Sequence, residues 1–505
     1  MARSKLFQNT TGIASVAQPE FDAVVVGAGP NGLAAAARIA KAGGKVLVLE
    51  ANAEIGGGVR SFDHNGYRHD SCSTIHSLPA IAPPLELLGL VDGQDSPVQG
   101  RHRASATIRW AHFPIELAHP LPDGDSAFLY RDVRQTAEGL GQDARRYQRL
   151  IGGLVDRWDH LASDVLTPMV SIPRHPVSLA RFGLPALLPA AAGLRRLFVT
   201  EQARALLGGN AAHSYVALNK PLTMAFGLML QIGGHVGGWP VAAGGSSTIA
   251  SGLASVITSN GGTIETSSRV TNMAKLPSHR TLFLDTTPAV ALSISGLDLP
   301  WHRNRAYRNF GHGAAAFKVD FELSGPIPWA DPQISQAGTV HLVGRFDELV
   351  AAESTVASGR MPDRPFVLAV QACVADPQRA PSGHHTLWTY AHVPSGFAGD
   401  ALPHIEGQLD RFAPGWRDLV VHRHVTTPAA LETGNANFAG GDIGGGSYGG
   451  LQSVARPTFG PHPYRTGAPG VYLCSASTPP GAGAHGMGGW NAVADALKRE
   501  LRHLT

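Results

Sequence analysis

The stretch FDAVVVGAGPNGLAAAARIAKAGGKVLVLE, residues 21–50, decides the fold. Residues Ala23 to Val26 form an apolar run, as expected of a strand covered on both faces. Gly27, Gly29 and Gly32 follow in GxGxxG spacing. The first glycine permits a tight turn, the second lets the backbone approach a pyrophosphate, and the third lets helix and strand pack closely. Pro30 suits a first helical turn, where no hydrogen-bond donor is lost. The run LAAAARIA is a strong, slim helix former, and its N-terminal amides would face a phosphate. KVLVLE is the next strand, and Glu50 stands 21 residues after Gly29, where a carboxylate accepts ribose hydroxyls. Its charge would repel a 2′-phosphate, which argues against NADP at this turn.

The same glycine spacing recurs twice. Gly444, Gly446 and Gly449 in GGGSYG have no apolar strand before them and no helix after, so they read as a loop. Gly481, Gly483 and Gly486 in PPGAGAHG follow the strand-like GVYLCSAS and precede NAVADALKREL. Only 19 residues remain after Gly486, too few for a further helix, strand and acid. Residues 21–50 alone have the full βαβ context.

A chain of 505 residues exceeds the roughly 250–300 at which single cores stop growing, so two domains are expected. Lys plus Arg (41) against Asp plus Glu (38) leaves +3, and no basic run interleaves with aromatics; no nucleic-acid partner is expected. Cys72, Cys373 and Cys474 are scattered, without CxxC spacing, which fits a reducing compartment and argues against disulfides or zinc. None of the 23 histidines falls in HExxH, so no metal is implied; His384, His385, His422 and His424 read as surface or loop residues. The first 20 residues lack an apolar signal core, and a cytoplasmic protein is expected.

After Glu50 comes ANAEIGGGVRS, with the pair Gly56-Gly57. Together with GVYLCSASTPPGAGAHGMGGWNAVADAL near the C-terminus, GGWPVAAGGSSTIASGLASVITSNGGTIETSSRV in the middle, and FKVDFELSGPIPW and HTLWTYAHVPSG, it resembles the FAD-dependent phytoene desaturase and amine oxidase-like superfamily over residues 21–505. The likeness is nearest to the phytoene-dehydrogenase-like branch that includes the pyridine nucleotide-disulphide oxidoreductase domain-containing protein 2 group. Two departures stand out. Gly58 occupies the place where amine oxidases carry an arginine, the nearest being Arg60, and no counterpart of their flavin-side lysine is evident.

The resemblance implies an α/β fold: a Rossmann-type, GR2-like FAD-binding domain with a second α+β substrate domain carrying a helical cap. The FAD-binding domain is expected from residues 20–115, 235–310 and 430–505, and the substrate domain from 116–234 and 311–429, with the cap at about 140–230. LFLDTTPAV, residues 282–290, reads as a strand delivering its end to the cofactor. The apolar stretch 178–198 reads as two short buried cap helices broken at Pro185 and Pro189; the alternative is a peripheral membrane-docking or substrate-entry segment.

FAD is the implied cofactor, held by Gly27, Gly29, Gly32, Glu50, Gly56, Gly57, Arg60, Ser475, Gly486 and Met487. The implied reaction is hydride transfer from a hydrophobic small molecule, such as a polyene or isoprenoid, to flavin N5. Candidate acid/base groups are His485 first, then His76 and His235, with Trp239 lining the substrate pocket. Loop shaping and core packing are the alternative roles for each. A redox-neutral isomerase or saturase, or a non-catalytic FAD-fold protein binding a partner or lipid, are the other readings. The electron acceptor and oligomeric state stay open.

Overall fold

A computed structural model describes residues 19–91, 107–168 and 170–505. The N-terminal stretch read above for targeting lies almost wholly outside the described residues.

Three separated stretches of chain build one parallel sheet, in the order Val471–Leu473, His279–Leu284, Phe21–Val26, Val46–Leu49, Thr263–Glu265. Alternate side chains of its central strand go to opposite faces, as the pleat requires. Ala23 and Val25 pack under helices Pro30–Lys41, Ser247–Ser259 and Met487–Ala496. Val24 and Val26 meet Ala291, Ile294 and Tyr307 on the other side. Both faces are therefore dry, which explains the unbroken apolar run.

Two close approaches depend on glycine. A Cβ on Gly32 would lie 2.1 Å from the Gly27 carbonyl oxygen, and one on Gly489 would lie 1.8 Å from that of Asn31. The second contact presses the C-terminal helix against the start of Pro30–Lys41. It thereby brings the last stretch of chain to the dinucleotide turn.

The second sheet runs in the order Val420–Thr426, Ala315–Leu323, His385–Val393, Val367–Val370, Ala337–Leu342, Ile115–Pro120, Ser126–Leu129. On one face Phe317, Val319, Phe321 and Leu323 pack with Ile405, Leu409 and Trp416. The register places Trp388 and His424 on either side of Asp320, and Thr386 and His422 on either side of Glu322. The opposite face is thus both polar and aromatic. Helices between Val133–Glu138 and Thr223–Val236 form the cap, sharing a core with Trp239, Phe366 and Trp388.

The stretch 178–198 differs from its expected form. Helices Pro176–Ala186 and Ala190–Leu197 meet at 103°, and the break lies at residues 187–189 rather than at Pro185. Pro185 sits in the last turn of the first helix, where the bond from the Leu187 amide to the Gly183 carbonyl survives. Nor is the pair wholly buried: Phe182, Ala186 and Leu194 point inward, while Leu184 and Leu187 are 71% and 59% exposed. Among the described residues, no single helix is long and apolar enough to cross a membrane.

Candidate functional site

One cavity of about 400 Å³ touches both sheets. Gly27, Gly29, Glu50 and Gly57 line one end, and Phe226, Leu230, Trp239, Trp388 and Tyr390 line the other. Its volume falls in the roughly 300–1,000 Å³ range of small-molecule sites.

At the dinucleotide end the backbone fixes the acid. Glu50 accepts hydrogen bonds from the amides of Ala28 and Asn52, each at 2.8 Å. Gly57 adopts φ +53°, and a Cβ there would approach the Gly29 Cα to 3.1 Å. The result is a glycine-lined trough beside a helix N-terminus and the buried Glu50 carboxylate. That arrangement fits the pyrophosphate and ribose of a dinucleotide.

Several expected cofactor residues support the trough without lining it. Gly32 closes the turn, and the Gly56 amide donates to the Ala28 carbonyl at 2.7 Å. Arg60 donates to the carbonyls of Gly57 and Gly434 at 3.0 and 2.8 Å, so it braces the glycine loop. Ser475 and Ala484 line the cavity, whereas Gly486 and Met487 do not.

Asp285 escaped the residue-level reading. It is the first residue after strand His279–Leu284, lines the cavity, and accepts from the Gly32 amide at 2.9 Å. Burial pushes its pKa up to about 7 against that hydrogen bond, with Glu50 adding to the rise. Asn437 secures the same corner: it accepts from the Thr287 amide at 2.8 Å and donates to the Asp285 carbonyl at 3.0 Å. An acid directly after an all-apolar strand end was the available signal for Asp285; Asn437 had none.

The three candidate histidines are not brought to the cavity wall. His235 sits in the cap core, its ring nitrogens 2.6 Å from the Tyr147 hydroxyl and 3.0 Å from the Arg131 carbonyl. His76 is buried with Nε2 2.9 Å from Ser246 Oγ. His485 accepts the Met487 amide on Nδ1 at 3.1 Å, at the start of the C-terminal helix. Burial lowers all three to about 4, so each is neutral at pH 7. Burial among partners from distant stretches of chain, hidden from a linear motif, explains the difference.

Two other residues meet the chamber instead. His213 lines it with Nε2 3.1 Å from His341 Nε2, and burial lowers its pKa to about 3. Tyr215 holds the left-handed φ of +54°, and its ring stacks on Tyr390 with centroids 6.1 Å apart. A bulky side chain held in that region is strained, and such strain gathers at functional sites. Trp239, the expected lining residue, is at the wall and donates its indole N–H to the Leu230 carbonyl at 3.2 Å.

Residues 25–86 match the NAD(P)-binding Rossmann-like domain family. Pyridine nucleotide-disulfide oxidoreductase domain-containing protein 2 of Rattus norvegicus is 24% identical, covering 96% of this chain and 95% of its own. Two shorter matches are a component of the limonene dehydrogenase of Castellaniella defragrans and the all-trans-retinol 13,14-reductase of Rattus norvegicus. The first is 32% identical over 26% of this chain and 22% of its own, and the second 43% over 14% and 11%. Among solved structures, an oxidoreductase from Methanosarcina mazei superposes with TM-score 0.61 at 16% identity, covering 94% of this chain and all of that one. Cyclohexylamine oxidase from Brevibacterium oxydans gives 0.58 at 15%, covering 96% and 100%.

Fold and site together define the class: a two-domain α/β fold with a Rossmann-like dinucleotide-binding domain, shared with solved oxidoreductase structures. Within that class, the chain is similar along almost its whole length to pyridine nucleotide-disulfide oxidoreductase domain-containing protein 2.

Proposed function

We propose that the protein is an FAD-dependent oxidoreductase acting on an apolar, unsaturated small molecule. The observation that carries this reading is the single cavity joining a dinucleotide trough to an aromatic chamber. When bound, FAD supplies a two-electron hydride acceptor or donor. Gly27, Gly29, Glu50, Gly57, Asn437 and Ser475 would hold it. Phe226, Leu230, Trp239 and Trp388 exclude water and orient the substrate; orientation of this kind is worth up to about 7–11 kcal/mol. His213 faces the chamber as a neutral imidazole, able to accept or donate one hydrogen bond without a charge.

The local relatives support an apolar substrate, since limonene and retinol are both apolar and unsaturated. The likeness to a reductase also supports reduction of a double bond as the alternative direction. Anaerobic mixing of the purified flavoprotein with polyenes tests the reading. Oxidation of substrate bleaches the flavin stoichiometrically; reduction of substrate reoxidises a pre-reduced flavin. A protein that neither retains nor takes up FAD ends the proposal.

The bent helix pair supports contact with an anionic lipid surface. Leu184, Leu187 and Leu188 are exposed beside Arg181 and Arg196, which are also exposed, so apolar insertion and charge attraction act together.

A further inference from the structure

Away from the cavity, hairpin Ser61–His64/Tyr67–Asp70 lies across the polar face of strands Ala315–Leu323 and Val420–Thr426. His422 and His424, read from sequence as surface or loop residues, are strand residues; His422 is exposed and His424 half-buried. Pairing across the ladder puts Glu322 and His424 on one face, since directly opposed residues share a face and so do residues two apart.

Glu322 has a fully buried side chain, and its Oε1 is approached by three imidazoles. His64 Nδ1 lies 2.6 Å away, His424 Nε2 2.8 Å, and His69 Nε2 3.5 Å. Among the described residues, Glu322 Oε2 and His69 Nε2 are buried with no hydrogen-bond partner. Hydrogen bonding alone thus crowds one carboxylate oxygen and leaves the other, with a facing imidazole nitrogen, unpaired in the interior. Such groups are costly unless something satisfies them.

A cation does. Zinc binds imidazole nitrogen at about 2.0–2.1 Å and carboxylate oxygen at about 2.0–2.2 Å, so tetrahedral ligands lie roughly 3.3 Å apart. The three separations above bracket that spacing. One ligand atom from each of His69, Glu322 and His424 falls within 4.8 Å of the others, as do those of His64, His422 and His424. The donor set is three nitrogens and one oxygen, with no all-oxygen cage. It favours zinc-like ions over magnesium or calcium. A carboxylate lies close by: Asp320 Oδ1, buried without a hydrogen-bond partner among the described residues, is 3.8 Å from His69 Nδ1. Asp320 is itself paired with Lys318.

We propose that His64, His69, Glu322 and His424 form a structural site for a zinc-type divalent cation, tying the hairpin to the seven-stranded sheet. Its four protein ligands close the site, so the ion stabilises rather than catalyses. His422 lies at the exposed rim, its ring 4.4 Å from that of His424. The proposal is independent of the flavin reaction.

The untagged full-length protein, stripped with chelator, is titrated with Zn²⁺ against a chromophoric competitor, and separately with Co²⁺. One equivalent of zinc, intense visible bands of tetrahedral cobalt, and a melting temperature raised by zinc are expected. His64→Gln and His424→Gln each weaken zinc binding at least tenfold and abolish the thermal shift, while far-UV circular dichroism and FAD content stay unchanged. His160→Gln, in the stacked His160/His175 pair elsewhere, leaves binding unaltered. Zinc uptake below a tenth of an equivalent overturns the site, and so does uptake that both ligand variants leave unchanged, which marks an adventitious ion only.

Discussion

The buried carboxyl of Asp285 takes a hydrogen bond from the Gly32 amide, 2.9 Å away, in the first turn of the helix that opens the dinucleotide turn. Helix N-termini attract anions, yet here burial outweighs the bonds from Gly32 and Gly29, and the carboxyl titrates at about 7. An ionised Asp285 competes with a pyrophosphate for the same positive helix end. A protonated one does not.

FAD affinity should therefore fall as pH rises through 7. The loss approaches roughly tenfold per pH unit above that point, because one proton must be taken up on binding. Asp285→Asn should flatten the dependence to within about threefold between pH 6.5 and 8.5. Fluorescence titration of the stripped protein with FAD measures this, and parallel curves for the two proteins would remove Asp285 from the account.

Stability should fall on acidification below about pH 6.5. His76, His119, His235 and His485 are held near 4, and His213 near 3, by burial. Between pH 6.5 and 4 the unfolded chain protonates these imidazoles and the folded chain does not, so each makes stability rise with pH. Asp285 and Glu116, raised by burial to about 7, act in the opposite sense across the same window. Five groups outnumber two, and the net slope should reach at most about 4 kcal/mol per pH unit. Urea titrations at pH 4.5, 5.5 and 6.5 check the sign.

Filling the chamber should stop catalysis without removing the cofactor. Leu230 is part-buried on the cavity wall, and Leu230→Trp puts an indole into the substrate space. Substrate-driven flavin reduction should slow by about a hundredfold, as a misplaced substrate does. The flavin absorbance per protein should hold.

His485→Asn should keep the rate within about threefold and leave the pH profile unmoved. A side-chain oxygen can still accept the Met487 amide that His485 now caps. A lost pH limb in steady-state kinetics would instead reveal His485 as an acid or base.

The double variant Leu184→Glu, Leu187→Glu should float less with anionic vesicles than the parent does. Each change places a charge where an apolar side chain is exposed, on the helix pair that also carries Arg181 and Arg196. Equal flotation would show that the protein meets lipid elsewhere or not at all.

Residues 21–50 were legible because every local requirement in them agrees: a dry strand, a glycine turn, a slim helix, a second strand and an acid. The strand Val471–Leu473 and the helix Met487–Ala496 were legible for the same reason. The reading faltered with histidine, whose role depends on neighbours drawn from distant stretches. His485 and His235 have polar partners within the fold, which keep them from the wall. His213 and Tyr215, in the unremarkable AAHSYVA, reach it through the packing of the cap.

What the order of residues determined alone was the βαβ unit and the cofactor class it suits, because these follow from short-range periodicity and glycine spacing. Only the tertiary structure decided which groups face the chamber, where the Asp285 carboxyl lodges, and that His64, His69 and His424 each approach Glu322. Those facts arise where two sheets and a hairpin, hundreds of residues apart in sequence, press their faces together, and no local pattern encodes that contact.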